Sequence, residues 1–404
     1  VLFYGEALRR LRDAAGAQGR PPAEEVALAD ALGRVSARAQ YSREAIPPFD
    51  NSAMDGYALA ASQFPVAGTR LNVLGTVLAG DAPICAVPSA GAWRIMTGAP
   101  LPAGCDAVIP VEKTLSLDGG RVVELLAHVE SGDFVRGRGR DFVEGGELFP
   151  AGTRLGARHL LALAAAGLSR AHVYRRPSVA LIATGRELAA PGKPLGPGQV
   201  RDASSTYLAA ALPALGMDFD FRGIVADEPA EFKRRVEECL LAGVDAIVTT
   251  GAVSMGVADF IPAAAASLGA EALFHKVAIR PGKPFLFARF PKGPLFFGLP
   301  GNPVSTVVGL RFFVEPALRE LLGRPREFPT RAALARDVEK PEGLRCFFKA
   351  RRLPDGRVEI LSGQASFQIH SLLAADCWAI LPEAGESLAA GAEVDVYPLL
   401  ESLA

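Results

Sequence analysis

Leu8, Leu11 and Ala15 recur at helical spacing and a second helical pattern covers residues 22–32, so residues 1–40 read as helical. From Tyr41 the pattern changes. Short β-like runs at 71–77, 92–97, 107–111 and 121–126 alternate with Gly/Pro turns, the texture of a β-rich module. Gly-rich turns then lead to a predicted helix over 157–166 that stops near Gly167. This stretch reads as a return to the first helical part, which makes the β-rich module an insertion. From about Arg175 to Gly323 strand-like and helix-like segments alternate. The helix after Asp227-Glu228-Pro229 is well marked, with Phe232, Val236 and Leu240 on one face. Such βα alternation predicts a parallel sheet covered by helices on both faces. Residues 324–404 are β-like again, with turns at Pro354-Asp355-Gly356 and Ala384-Gly385, and read as a small barrel or sandwich.

The expected fold class is multidomain α/β plus β. A helical domain takes residues 1–40 and 130–174, and an inserted β-rich domain takes 41–129. A central doubly wound parallel α/β domain takes 175–323, and a C-terminal β domain takes 324–404.

Composition narrows the function classes. The chain has 404 residues, half of them hydrophobic and 22% charged, which suits a globular protein of two to four domains. A net charge of −1 provides no field for nucleic acid or for an anionic membrane. No apolar run approaches the roughly 18 residues of a membrane span, and the opening residues lack a signal-peptide pattern. Cys85, Cys105, Cys239, Cys346 and Cys377 are scattered, with neither a C-x-x-C pair nor a histidine at ligand spacing. A disulfide framework and a zinc site are therefore not expected, and a cytoplasmic location is. The five histidines show no partner spacing, and the dinucleotide and P-loop glycine patterns are missing.

The chemistry gathers at strand-to-loop junctions. Residues 245–250 form a β-run that ends in Gly251, followed by Ser254, Gly256 and Asp259 before an Ala-rich helical segment. That order of strand, small-residue loop and helix start offers backbone N–H groups to an anion, with a hydroxyl and a carboxylate nearby. Alone, it reads equally as an ordinary turn. Residues 296–307 repeat the pattern: an apolar strand, then Gly298, Pro300, Gly301, Asn302, Pro303 and Ser305. Asn302 suits an N-cap and Pro303 the first helical position, which places Ser305 in the first turn. A third junction ends a strand at Thr184-Gly185, with Glu187 following. Ligands of open α/β sheets bind beyond the carboxyl ends of the strands, where such loops meet.

Further candidates carry charge. Lys276, Arg280 and Lys283 surround Pro281-Gly282 and favour a phosphate or another oxyanion. Asp202, Asp227 and Asp259 each adjoin a strand end; carboxylates at a phosphate site commonly hold Mg2+, and each also reads as a helix N-cap. Arg136, Arg138 and Arg140 beside Asp141 read either as a solvated charge run or as a phosphate clamp. Asp50, Asn51, Ser52 and Asp55 behind two prolines form a polar loop that also reads as a capped turn. Thr97-Gly98 and Asp106 lie in what reads as a hairpin with a long Pro/Gly connection.

In order, PPFDNSAMDGYA, RIMTGAPLPAGCDAVIPVE, ATGREL, TTGAVSMGVADF, VAIRPGKPF and FGLPGNPVS resemble the molybdopterin molybdenumtransferase family, which includes MoeA and the gephyrin E domain. The motifs run from residue 47 to 305, and the flanks fit the same layout. The resemblance implies four domains, a small C-terminal β-barrel and a homodimer. In that family the cleft lies between the α/β domain of one subunit and the β-rich domain of the other. It implies a reaction in which adenylylated molybdopterin and molybdate give molybdenum cofactor and AMP, with Mg2+ as cofactor. A molybdopterin adenylyltransferase is the implied partner protein. By position, Asp55 and Thr97 would be the β-rich domain's contribution to the cleft, and Arg136 and Asp141 match a charged motif of the family. Glu187, Asp202, Asp227 and Asp259 would position metal and pyrophosphate. Gly251, Ser254, Lys276, Arg280, Lys283, Pro300, Pro303 and Ser305 fall in the oxyanion-binding segments, and Ser371 sits where the C-terminal domain approaches the cleft. There are three departures. Gly137 and Gly139 interrupt a run that is often denser in Arg, Arg186 stands at a commonly acidic position, and Ala252 replaces a loop glycine. A Cβ at Ala252 restricts the loop if that glycine uses positive φ.

Overall fold

The computed structural model describes residues 1–63, 66–85, 91–253 and 260–400. They form two compact units, one of residues 1–38, 151–156 and 172–404, the other of 39–150 and 157–171. Among the described residues no helix is long and apolar enough to cross a membrane.

The first unit is built on a six-stranded sheet. Its order is Asp218–Val225, Ser178–Thr184, Ala246–Thr250, Leu295–Leu299, Leu286–Arg289, Glu271–His275. Side chains alternate across it, as strand geometry requires. Val179, Leu181, Val248 and Phe297 join a core with the helices Tyr4–Gln18, Ala203–Ala214 and Glu315–Leu321. Ala180, Ile182, Ile247 and Phe296 join another with Pro229–Ala242 and Ile261–Ser267. Helices therefore cover both faces.

The sheet is mixed, which corrects the expectation of a parallel one. The four strands from Asp218–Val225 to Leu295–Leu299 pair in parallel. Leu286–Arg289 runs antiparallel to both its neighbours. Residues 290–294 are the reason: Gly293 N–H donates to the Phe290 carbonyl and Phe290 N–H to the Pro294 carbonyl. So short a connection can only make a hairpin, since a parallel partner needs a crossover of a dozen or more residues.

Residues 22–32 also depart from expectation. They form a strand, Ala23–Ala27, and a single 3-10 turn, Leu28–Asp30. Arg175 N–H donates to the Pro22 carbonyl, so long-range pairing overrides local helical spacing here.

The C-terminal part of this unit is β-rich, with its own core around Leu334, Phe348, Val358 and Leu381. Its sheet runs Ile279–Arg280, Arg345–Arg352, Cys377–Leu381, Glu393–Pro398, Thr330–Ala333, and Val358–Ile360 also lies beside Arg345–Arg352. A bridge from Leu334 to Val358 links the two ends of this ring of strands. Arg280 is thus held at the edge of this sheet, paired with Cys346.

The second unit contains a six-stranded sheet ordered Ala107–Pro110, Gly56–Leu59, Ala92–Ile95, Arg70–Val77, Val122–Leu125, Thr114–Leu117. Tyr57 and Leu59 face one core, Ala58 and Ile95 another.

Candidate functional site

Three strands of the first unit end side by side at Thr184, Thr250 and Leu299, and their loops interlock. Thr184 Oγ1 donates to the Thr250 carbonyl at 2.8 Å, and Gly251 N–H donates to the Leu299 carbonyl at 3.0 Å. Gly251 has φ +87°, and a Cβ there would lie 2.4 Å from the Thr184 carbonyl oxygen. Only glycine fits that approach. A Cβ on Gly301 would lie 3.5 Å from the Gly251 Cα, so the Gly251 and Gly301 junctions touch. Ser204 Oγ donates to the Gly301 carbonyl at 3.4 Å and Thr306 Oγ1 to the Pro300 carbonyl at 2.9 Å, tying two helix starts to this loop.

Two cavities open there. The larger, of about 710 Å³, is lined by Glu187, Asp202, Asp227, Gly251, Pro303 and Phe367, among others. The smaller, of about 390 Å³, is lined by Arg280, Lys283, Pro300, Ser305 and Phe367, among others. Asn302 and Phe367 belong to both. A larger hollow of about 1090 Å³ lies around Gln18, Asp245 and Lys292, where the strands begin, and contains none of the sequence candidates. Size does not decide the matter, because the convergent loops and charges lie at the other end.

The two cavities differ in sign. Arg280 and Lys283 are exposed and make no ion pair among the described residues. On the same cavity wall Asn302 takes the N-cap position, Pro303 follows, and Ser305 is 3% exposed in the first turn. Its hydroxyl makes no hydrogen bond among the described residues. The larger cavity holds carboxylates. Asp202 caps the helix Ala203–Ala214, its Oδ1 accepting from Ser205 N–H at 2.9 Å. Asp227 Oδ2 accepts from Arg186 N–H at 3.4 Å, and the N-cap of the next helix is Glu228, so the capping expected of Asp227 is not seen. The Glu187 carboxylate folds over Gly185, where a Cβ would lie 2.7 Å from it.

Other sequence candidates lie elsewhere. Lys276 lines neither cavity, and its carbonyl accepts from Leu2 N–H. Ser371 is buried, and its Oγ donates to the Gly363 carbonyl at 2.7 Å. Ser254 and Asp259 lie outside the described residues. Among the described residues no three His, Cys, Asp or Glu side chains gather as a metal site.

The remaining candidates lie in the second unit. Thr97 N–H and Oγ1 both donate to Asp55 Oδ1 at 2.7 Å. The Thr97 backbone hydrogen bond, then its hydroxyl, hold the exposed Asp55 carboxyl below the usual carboxylate range. A cavity of about 650 Å³ takes Arg136, Arg140 and Asp141. Arg138 instead pairs with Glu144, while its N–H donates to Asp50 Oδ1 at 2.7 Å.

Family models match almost the whole chain in this order. Residues 3–167 match the MoeA N-terminal region (domain I and II), 180–320 a probable molybdopterin binding domain, and 331–399 the MoeA C-terminal region (domain IV). The chain belongs to the MoeA family of molybdopterin molybdenumtransferases. These are transferases of molybdenum cofactor biosynthesis. A family member from Synechococcus elongatus is 40% identical over 99% of this chain and 100% of its own length. Another from Bacillus subtilis is 33% identical over 94% of this chain and 90% of its own. The crystal structure of the molybdopterin biosynthesis MoeA protein from Pyrococcus horikoshii is similar at a TM-score of 0.82 and 31% identity, covering 98% of this chain and 99% of that one.

Sequence reasoning named the Thr184-Gly185 junction but missed Ser204, Thr306, Gln364 and Phe367. The partner of Ser204 is distant in sequence, Thr306 bonds within its own loop and helix start, and nothing in the β-like C-terminal pattern singles out residues 364–367.

Proposed function

We propose that the chain transfers molybdenum from molybdate to adenylylated molybdopterin, releasing AMP and molybdenum cofactor. The observation that carries this reading is the separation of charge at the carboxyl end of the sheet. Arg280, Lys283 and the Ser305 side chain, with no ion pair or side-chain hydrogen bond among the described residues, line one cavity, and Glu187, Asp202 and Asp227 outnumber Arg201 in its neighbour. A substrate that carries anionic groups in one place and a metal-bound phosphoanhydride in another matches both.

In this reading Arg280, Lys283 and Ser305 hold oxyanions, with Gly251, Pro300 and Pro303 shaping the backbone around them. Lys276, Ser254 and Ser371 are assigned to substrate binding by the resemblance alone, since Lys276 and Ser371 line neither cavity. The donor set fits Mg2+, which commonly takes one or two carboxylates together with substrate phosphates. Asp227 and Glu187 face one cavity, Asp202 has one oxygen beyond its capping bond, and Asp259 completes the proposed set. Bound there, Mg2+ would neutralise charge on the phosphoanhydride. The chain's own work is positioning and charge compensation, since the dithiolene sulfurs that capture molybdenum belong to the substrate. Asp55 with Thr97, and Arg136 with Asp141, contribute the second unit's share of substrate binding.

We also propose the four-domain partition given above, supported by the separate cores of the β-rich parts. The Leu334–Val358 bridge supports a C-terminal barrel. A homodimer, a cytoplasmic location and a molybdopterin adenylyltransferase as supplier of substrate complete the proposal.

The test is reconstitution. Purified protein with adenylylated molybdopterin, molybdate and Mg2+ should yield AMP and active cofactor, and Asp55→Ala or Asp227→Ala should abolish both. Product formation from unmodified molybdopterin and ATP instead would replace this reading with adenylylation.

A further inference from the structure

Phe367 is 68% exposed, yet it lines both cavities. A single exposed aromatic is ordinary. What sets this one apart is how rigidly its flanks are held. Lys349 is fully buried in the strand Arg345–Arg352, and its Nζ donates to the Gly363 carbonyl at 2.6 Å and the Gln368 carbonyl at 2.8 Å. Burial pushes its pKa below the ordinary lysine range. Lys349 N–H donates to Gln364 Oε1 at 3.0 Å, and Gln364 Nε2 donates back to the Lys349 carbonyl at 2.9 Å. Ala365 N–H donates to Gln368 Oε1 at 3.0 Å, which closes the turn that carries Phe367. Val304 N–H, at the start of the helix beside the cations, donates to the Ser366 carbonyl at 3.0 Å. The backbone on both sides of Phe367 is thus held, and its exposed ring shares a cavity lining with Arg280 and Lys283.

We propose that Phe367 is a substrate-binding residue that stacks on a flat nitrogen heterocycle whose attached phosphate is taken by the neighbouring cations, and that Lys349 is the positioning residue for it. This inference rests on the function proposed above. An exposed aromatic on a braced turn, next to cations that make no ion pair among the described residues, suits a phosphate-bearing ring because stacking accepts any π-face while the cations fix one end. Both the adenine and the pterin of the proposed substrate have this chemistry.

Calorimetric titration with AMP, with a phosphate-bearing pterin and with pyrophosphate tests it. Phe367→Leu should weaken one ring-bearing probe roughly tenfold and leave pyrophosphate unchanged. Which probe loses affinity identifies the ring that stacks. Phe367→Trp should restore binding of that probe, and its emission should be quenched as the probe binds. Lys349→Met in the Phe367→Trp background should weaken that quenching while pyrophosphate binding persists. Unchanged affinity for both ring-bearing probes in Phe367→Leu would overturn the inference and leave the proposed function standing. Failure of the unmodified protein to bind any of the three probes would overturn the reading of the site itself.

Discussion

Ala252 has a φ of +47°, a left-handed conformation that a Cβ disfavours by roughly 1–2 kcal/mol. The resemblance identified this position as a departure, and the backbone gives the physical consequence. We expect Ala252→Gly to stabilise the first unit by about 1 kcal/mol, after allowing for glycine's greater freedom in the unfolded chain. Its denaturation midpoint in urea would report this, and a midpoint below that of the unmodified protein would contradict it. Asp55 gives a second prediction at this scale. Its carboxyl is held below the ordinary range by Thr97, so it contributes stability above its unfolded pKa of about 3.9 and loses it as pH falls through the folded value. Thr97→Val removes the hydroxyl donor and should raise the Asp55 pKa towards the ordinary value. Carboxyl titration by NMR would show no movement if the hydroxyl did not matter.

At the scale of elements, helix starts carry the site. Asp202 both caps the helix Ala203–Ala214 and lines the carboxylate cavity, so its two roles can be separated. Asparagine caps about as well as aspartate, whereas alanine costs about 1 kcal/mol. Asp202→Asn should therefore fold as stably as the unmodified protein, with Mg2+ affinity lowered several-fold, and Asp202→Ala should lose about 1 kcal/mol as well. Unchanged Mg2+ affinity in Asp202→Asn would leave it as a cap alone. The helix start at Pro303 was legible in sequence, because Asn-Pro after an apolar strand specifies cap and first position locally. The short strand at Ala23–Ala27 was not, because its backbone partners come from residues far along the chain.

At the scale of the whole molecule, the two units have separate hydrophobic cores, one around Leu125 and Ile109 and others around the central sheet. Chains of this kind commonly depart from two-state unfolding. Calorimetry should resolve more than one transition, and Leu125→Ala, which opens a cavity in the second unit, should lower only one of them by a few degrees. A single transition that shifts as a whole would show that the units unfold together.

The sequence by itself determined the local matters. These are the order of β-rich, α/β and β segments, the glycine- and proline-marked junctions at Gly185, Gly251 and Gly301, and the cations Arg280 and Lys283. Each follows from periodicity, turn chemistry or charge within a few residues. Only the tertiary structure decided which of these meet. It brought Gly251 against Gly301, left Lys276 outside both cavities, and braced the backbone on either side of Phe367 through buried Lys349. The physical reason is range. Those outcomes depend on hydrogen bonds and packing between residues remote in the chain, which no local pattern encodes.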